Sequence, residues 1–209
     1  MNKDNIERLN IIWFLLDSMR TYRTGQDDRD RLELMDKIAE ESVAFTRAIT
    51  SAPSSIMFVA AMMTSCPAYQ IARDYDSFKF DPDAFPSLPQ ILKNNGYHTY
   101  SIIFFREGRE KFISLFEQVD RQYWPSGLSH AEKYWSNDQV NAILFNILKD
   151  GLQEPFFLFV HYNIRQDTQT SDKVELAVQQ FKESGVYDRS IFILCSDHGY
   201  PDPKRGMGP

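Results

Sequence analysis

The chain is poor in the residues that mark fibrous or disulfide-linked proteins. Glycine and proline are scarce, with nine and ten residues among 209, which excludes a collagen-like or linker-like chain. Cysteine occurs only twice, as Cys66 and Cys195, inside or next to apolar segments. This pattern favours two buried thiols in a cytoplasmic protein over a disulfide.

Long apolar runs and an excess of basic residues are also missing. Apolar stretches such as residues 11–16 are far shorter than the ~20 residues of a transmembrane helix. The charged residues 1–10 lack the apolar region of a signal peptide. With 23 basic and 29 acidic residues, the net charge is −6, which argues against nucleic-acid or membrane-surface binding by the whole protein. We therefore expect a soluble cytoplasmic protein with no nucleic-acid partner and no membrane span.

Short apolar runs alternate along the chain with longer amphipathic stretches. A run without polar residues, such as NIIWFLL, is typical of a strand buried on both faces. Strands are predicted at residues 10–16, 43–49, 98–105, 155–161 and 190–196. Helices are predicted at residues 28–42, 54–64, 88–95, 137–149 and 172–184, and surface loops at 73–87 and 121–135. This rhythm predicts an α/β fold, a three-layer α/β/α sandwich with a mainly parallel sheet, in one domain spanning residues 1–209.

Polar residues follow the apolar runs at the point where ligands bind in parallel α/β sheets, beyond the carboxyl ends of the strands. Asp17 follows the first run, where either a metal ion or an ion pair with Arg20 would balance its charge. Asp197 and His198 follow the last run. Adjacent in a loop, they can both reach one divalent ion, or the aspartate caps the loop beside a surface histidine. His161 ends the run before it.

Ser54 and Ser55 open the apolar helix predicted at residues 54–64. Hydroxyl side chains at this position are most often N-caps. The same position also binds anions through free backbone N–H groups. A serine placed there, beside a bound ester and a metal ion, can act as a nucleophile. The residues themselves leave both interpretations open.

The order of these pieces resembles that of a known enzyme family. A buried strand ends in Asp-Ser-Met-Arg, a small polar turn opens a Met-rich helix, and a late strand ends in Ser-Asp-His-Gly. Three further segments match in the same order, at residues 85–100 (FPSLPQILKNNGYHTY), 155–161 (PFFLFVH) and 183–198. Together they resemble the sulfatase-like branch of the alkaline phosphatase superfamily over about residues 10–199.

The resemblance implies a metal-dependent hydrolase or transferase that acts on small anionic substrates, the esters of sulfate, phosphate or phosphonate. It implies one divalent ion (Ca²⁺, Mn²⁺, Mg²⁺ or Zn²⁺) bound by the late Asp-His pair and the early aspartate, which are Asp197, His198 and Asp17. It also implies that Ser55 is the nucleophile. Arg20, which matches the arginine of an Asp-Ser-Leu-Arg variant, and His161 are the candidates for substrate binding.

The chain departs from the family pattern at several positions. Residues 56–59 (IMFV) follow Ser55 where sulfatases carry x-Pro-Ser-Arg, so formylglycine is not expected. This change, with Gln166 near the place of a family histidine, supports an alternative: a catalytically inactive sulfatase-like domain that keeps the fold. Family members also continue well past the Asp-His-Gly loop, so we expect the C-terminal part of the usual fold to be absent.

Overall fold

One parallel sheet organises the protein. The computed structural model describes residues 8–19, 33–71, 81, 83–105, 115–116, 119–125, 134–164 and 170–199. Within them the strand order is β3-β2-β4-β1-β5, and all pairings are parallel. The strands are β1 (Asn10–Asp17), β2 (His98–Ile103), β3 (Arg121–Tyr123), β4 (Phe156–Asn163) and β5 (Ser190–Ser196). The helices are α1 (Glu33–Glu40), α2 (Ser55–Thr64), α3 (Ala68–Ile71), α4 (Leu88–Asn94), α5 (Asn137–Asp150) and α6 (Thr170–Glu183), with a 3₁₀ turn at Tyr187–Arg189.

The central strands are apolar on both faces because helices cover both faces of the sheet. All eight residues of β4 are buried. Phe14 and neighbouring side chains pack with Leu144 of α5 and Phe181 of α6. On the other face, Leu15 and Phe159 pack with residues of α2. The predicted α/β sandwich with a parallel sheet is therefore confirmed.

A buried asparagine joins α5 to the carboxyl end of β4. The Asn137 Nδ2 atom donates to the Asn163 carbonyl at 2.8 Å, and the Asn163 N–H donates to Asn137 Oδ1 at 3.0 Å. The same amide nitrogen donates to Thr170 Oγ1, at the start of α6, at 3.0 Å. Since buried backbone groups need partners, this side chain fixes the end of β4 between two helices.

Several predicted elements differ from the structure. Residues 43–49 form no strand, and Val43, Phe45 and Ile49 are 80%, 83% and 92% exposed. Their strand-like pattern has no ladder partner in the described part of the chain, and a strand needs one to form. Conversely, β3 lies within the predicted loop at residues 121–135, because pairing with β2 determines its conformation.

Other boundaries shift by a few residues or lie partly outside the described ranges. The strand predicted at residues 98–105 ends at Ile103, and Phe105 forms an isolated antiparallel bridge with Tyr134. The short helix α3 was not predicted. Residues 28–32 of the predicted first helix, and most of the predicted loop at 73–87, lie outside the described residues.

The sequence also predicts two buried thiols without a disulfide, and no membrane-spanning helix. Cys66 and Cys195 are free and half-buried. Burial raises the pKa of Cys195 to about 11, and Trp13 Nε1 donates to its sulfur at 3.1 Å. Within the described residues, no helix has the length and apolar character that crossing a membrane requires.

Two phenylalanines, one buried and one exposed, test which side chains form the core. Phe159 is fully buried and stacks on Phe116 with ring centroids 5.0 Å apart. We expect Phe159→Ala to lower the free energy of unfolding by about 3–5 kcal/mol, because the core closes only partly around the cavity. Phe45→Ala, at an exposed position, should change it by no more than about 0.5 kcal/mol. Guanidinium denaturation of both variants measures the difference, and equal losses would contradict this assignment of the core.

The Asp120 carboxylate should make stability depend on pH. Burial raises its pKa, but hydrogen bonds from Lys93 Nζ at 2.7 Å and from the Thr99 N–H at 2.9 Å outweigh that effect and lower it. A lowered folded-state pKa stabilises the fold above the unfolded value of about 3.9 and loses that effect as pH falls through the folded value. The stability gap between the unmodified chain and Asp120→Asn should therefore be full above about pH 4 and shrink below it. Urea denaturation at several pH values tests this, and a gap independent of pH would refute it.

Candidate functional site

The carboxyl ends of three neighbouring strands gather polar side chains at one edge of the sheet. Asp17, the last residue of β1, lies in register with Asn163 at the end of β4. On the other side of β1, Leu16 is in register with Ser196, the last residue of β5. Asp197 therefore follows directly beside Asp17. The strand order, and not proximity along the chain, brings these residues together.

A buried carboxylate ties the end of β5 to the end of β1. Asp197 is fully buried, and its Oδ1 atom accepts the Ser18 N–H at 2.8 Å and the His198 N–H at 2.7 Å. Its Oδ2 atom is buried and has no hydrogen bond within the described part of the chain. Ser196 Oγ adds a second tie by donating to the Met19 carbonyl at 2.8 Å. Asp197 thus organises two loops through Oδ1, while its Oδ2 atom lies 3.4 Å from His198 Nε2, another potential metal ligand.

The turn after β1 adopts an unusual backbone conformation. Ser18 has a φ of +66°, in the left-handed region that residues other than glycine seldom occupy. This conformation directs the Ser18 N–H to Asp197. Its hydroxyl donates to Asp17 Oδ1 at 2.6 Å. The strain at Ser18 is thus compensated by contacts with both aspartates of the site.

Ser55 begins α2 and faces the two strand ends. Its Oγ atom donates to Asp17 Oδ2 at 3.2 Å and lies 3.1 Å from His198 Nε2. Ser54 occupies the N-cap position, but its side chain makes no capping hydrogen bond. The capping interpretation of this serine pair is therefore wrong for both side chains. The apolar residues of α2, including Ile56 and Val59, pack into the core and hold Ser55 at the edge.

His161 lies beneath Asp17. It is fully buried, its Nε2 atom is 3.3 Å from Asp17 Oδ2, and its ring packs edge-on against Phe104 at 4.7 Å. Burial raises the pKa of Asp17, but its contact with His161 and the hydrogen bond from Ser18 Oγ lower it to about 2. Asp17 is therefore ionised at neutral pH. His161 contacts Asp17, and its predicted role in substrate binding stays a prediction.

A divalent cation fits the donor atoms at this edge. Asp17, Asp197 and His198 each offer one donor atom, and the three atoms lie within 4.8 Å of one another. Carboxylate oxygens with one imidazole nitrogen suit Mn²⁺, Zn²⁺ and related ions. The buried Oδ2 atom of Asp197 has lone pairs that such an ion would use. The donor set accommodates a divalent ion without selecting among the candidates.

The structure thus brings four of the six predicted site residues around one point: Asp17, Ser55, Asp197 and His198. It places a fifth, His161, behind them. Arg20, predicted to bind substrate, lies outside the described residues, as does Gln166. Sequence reasoning missed the roles of Ser18 and Ser196 as ties between the strand ends. Their positions directly after apolar runs were visible, but the contacts depend on which strands are neighbours.

Two substitutions at Asp197 should separate its structural role from its charge. Asp197→Ala leaves the buried Ser18 N–H without its acceptor, which typically costs about 1–3 kcal/mol. Asp197→Asn keeps an oxygen that can accept both N–H groups, so it should cost clearly less. Chemical denaturation without added metal ions measures both. Equal destabilisation would contradict the role of Oδ1 as the tie between β1 and β5.

Solved structures of similar fold belong to longer chains. The lipoteichoic acid synthase LtaP from Listeria monocytogenes has a TM-score of 0.70 at 14% identity, over 95% of this chain and 58% of that one. The C-terminal periplasmic domain of EcEptC from Escherichia coli, in complex with Zn, has a TM-score of 0.61 at 16% identity, over 95% and 66%. BT4656, in complex with its substrate D-glucosamine-2-N,6-O-disulfate, has a TM-score of 0.60 at 20% identity, over 77% and 35%. The chain therefore spans less than two thirds of the length of these neighbours.

Sequence comparison identifies the family directly. No curated protein matches the chain. A family model described as Sulfatase matches residues 9–164, which include Asp17, Ser55 and His161. Since this match covers most of the chain and agrees with the fold, the chain belongs to the sulfatase family.

Proposed function

We propose that this chain is a metal-dependent hydrolase or transferase of sulfate, phosphate or phosphonate esters, with Ser55 as its nucleophile. The observation that carries the proposal is the position of Ser55 Oγ, 3.2 Å from Asp17 Oδ2 and 3.1 Å from His198 Nε2. Membership of the sulfatase family supports ester chemistry. The sulfated sugar that is the substrate of BT4656 supports an anionic ester as substrate.

Asp17, Asp197 and His198 are the residues that would hold the cation. A divalent ion bound there supplies positive charge that stabilises the anionic oxygens of the ester and favours ionisation of the serine hydroxyl. The fold positions these ligands through the buried Oδ1 contacts of Asp197 and through His161 beneath Asp17. The similarly folded EcEptC domain, solved in complex with Zn, supports a divalent cation as cofactor.

The residues of the chain account for the remaining chemistry. The Ser55 hydroxyl loses its proton and its Oγ atom attacks the phosphorus or sulfur atom, while the bond from that atom to the alcohol oxygen breaks. The alcohol leaves with a proton, and the acid group remains esterified to Ser55. In hydrolysis, water then attacks the same atom, the bond to Oγ breaks and Ser55 regains its proton. In transfer, a second alcohol replaces the water.

A catalytically inactive domain is the second candidate, favoured by the environment of residues 56–59. Ile56 is 3% exposed and Val59 is fully buried, and both pack in the apolar core around α2. The segment that carries proline and arginine in formylglycine sulfatases therefore serves as core in this chain. A domain of this kind would bind a metal ion and turn over no ester.

Substitution of Ser55 tests the proposed nucleophile. We expect the chain to hydrolyse at least one of para-nitrophenyl sulfate, phosphate and phenylphosphonate when Mn²⁺, Zn²⁺, Ca²⁺ or Mg²⁺ is added. Ser55→Ala should then lower kcat by at least about 10³-fold, since loss of a serine nucleophile costs up to about 10⁶-fold in a well-studied hydrolase. Release of nitrophenol followed by absorbance gives kcat and KM for each ester.

Ser54→Ala is the matched control, because it removes the same hydroxyl one residue earlier, where the side chain makes no capping contact. It should retain the activity of the unmodified chain. Treatment with a chelator should abolish turnover, and the added metal should restore it. Equal losses in both serine variants would contradict Ser55 as nucleophile. Metal-dependent thermal stabilisation without turnover of any ester would establish the inactive alternative.

A further inference from the structure

The contacts around Ser55 include a pair of side chains that is typical of acyl transfer. Ser55 Oγ lies 3.1 Å from His198 Nε2, within the roughly 2.6–3.2 Å over which a general base takes a proton from a serine nucleophile. The ester chemistry proposed above uses His198 as a metal ligand and does not use this pairing. Both side chains are partly exposed, so a ligand can reach them.

A third group determines which nitrogen of His198 accepts the proton. His198 Nδ1 lies 3.0 Å from the carbonyl oxygen of Gly199. Because a carbonyl oxygen only accepts hydrogen bonds, Nδ1 carries the hydrogen, and the neutral ring presents the lone pair of Nε2 to Ser55. An acceptor that orients the base in this way is the part that an aspartate plays in a Ser-His-Asp triad. In this chain a backbone carbonyl supplies it.

A buried carboxylate oxygen lies beside the nitrogen that receives the proton. Asp197 Oδ2 is 3.4 Å from His198 Nε2 and has no hydrogen bond within the described part of the chain. Once Nε2 carries the proton from Ser55, the ring is positively charged and can donate to this oxygen. The attraction between the two charges stabilises the step at which His198 holds the proton.

The start of α2 offers hydrogen-bond donors to the oxyanion that acyl transfer produces. The Phe58 N–H donates to the Ser54 carbonyl at 2.9 Å, so the earlier N–H groups of Ile56 and Met57 have no carbonyl partner within the helix. The Ser54 side chain makes no capping hydrogen bond that would occupy them. The N–H of the residue after the nucleophile is a common oxyanion donor in serine hydrolases, and here that residue is Ile56.

The charge of the site separates this chemistry from that of anionic esters. A carboxylic ester is uncharged, so the carboxylates of Asp17 and Asp197 do not repel it and it needs no cation to approach Ser55. A cation held by Asp17, Asp197 and His198 would take the lone pair of Nε2, because Nδ1 is bonded to Gly199. The general base would then be lost. The two kinds of ester chemistry therefore exclude each other at one site.

We propose that the chain is also a cation-independent hydrolase of uncharged carboxylic esters, with Ser55 as nucleophile and His198 as general base. Ser55 Oγ bonds to the carbonyl carbon while its proton moves to His198 Nε2, and the carbonyl oxygen becomes an oxyanion beside α2. The oxyanion collapses, the bond to the alcohol oxygen breaks, and His198 gives the proton to the alcohol. Water then repeats these steps on the acyl-serine, which releases the carboxylic acid and restores Ser55. This activity goes beyond the proposed function and does not depend on it.

Hydrolysis of para-nitrophenyl acetate by the chain in the presence of a chelator tests the proposal. Release of nitrophenol should exceed the rate in buffer alone. Ser55→Ala and His198→Gln should each lower kcat/KM by at least about 100-fold, the lower end of what a general base contributes. Saturating Mn²⁺ or Zn²⁺ should suppress the reaction of the unmodified chain, after subtraction of the rate with the same metal and no protein.

Phenylmethanesulfonyl fluoride gives a second measurement that needs no turnover. Ser55 Oγ bonds to the sulfur atom, the S–F bond breaks, fluoride leaves and His198 takes the proton, so the label remains on the serine. Peptide mass spectrometry of the chelated, unmodified chain should place the label on Ser55. Added Mn²⁺ or Zn²⁺ should prevent labelling, which tests the role of His198 without any substitution.

Two matched controls remove the same side chains at other positions. Ser54→Ala removes the neighbouring hydroxyl, which makes no capping contact. His98→Gln replaces a histidine at the start of β2, at the opposite edge of the sheet. Both variants should hydrolyse the acetate and take up the label as the unmodified chain does, and circular dichroism shows whether each variant is folded.

Three results would overturn the proposal. They are hydrolysis no faster than in buffer together with no label on Ser55; hydrolysis that Ser55→Ala or a folded His198→Gln chain retains, which would assign it to other groups; and hydrolysis that requires the metal ion, which would assign it to the cation. Failure of the proposed function is a separate result. It is seen when the chelated chain hydrolyses the acetate and no added metal produces turnover of a sulfate, phosphate or phosphonate ester.

Discussion

The site depends on one buried oxygen atom, Oδ1 of Asp197, which accepts two backbone N–H groups from two different loops. One belongs to Ser18, so the contact fixes the turn that follows the central strand β1. The conformation of this turn also orients Asp17, whose Oδ2 atom accepts a hydrogen bond from the Ser55 hydroxyl. A buried carboxylate is costly without strong partners, and charge-assisted hydrogen bonds from backbone N–H groups are among the strongest available. These two hydrogen bonds satisfy Oδ1 and leave Oδ2 facing Asp17 and His198. The contacts that stabilise the buried carboxylate therefore also position it as a potential metal ligand.

The parallel sheet explains why the polar residues of the site lie at one edge. Strands buried on both faces have mostly apolar side chains along their length, so most polar groups gather at the ends. At the carboxyl edge the buried Asn137 forms hydrogen bonds with the end of β4. Asp197 connects the ends of β1 and β5 through its hydrogen bond with the Ser18 N–H. His161 lies inside β4, and its contact with Asp17 helps to keep that carboxylate ionised.

Much of this architecture was accessible from the sequence, for a physical reason. Uninterrupted apolar runs such as residues 10–16 identify doubly buried strands, and the residues after them must lie at one edge in a parallel sheet. Asp17, Ser55, Asp197 and His198 were found in this way and through family resemblance. The sequence does not show which strands pair, and both main errors in the predicted strands follow from that. Residues 43–49 have a strand pattern without a ladder partner in the described part of the chain, and β3 has a ladder partner without a strand pattern. The roles of Ser18 and Asn137 depend likewise on which strand ends are neighbours.

The charge of the site gives an electrostatic argument for a cation. The proposed ester is an anion, and it must approach Ser55 beside the carboxylates of Asp17 and Asp197. Two like charges 4 Å apart repel by about 4 kcal/mol at an effective dielectric constant of about 20. The low pKa of Asp17 prevents relief by protonation at neutral pH. A divalent cation held by Asp17, Asp197 and His198 would neutralise the two carboxylates and so remove their repulsion of the ester.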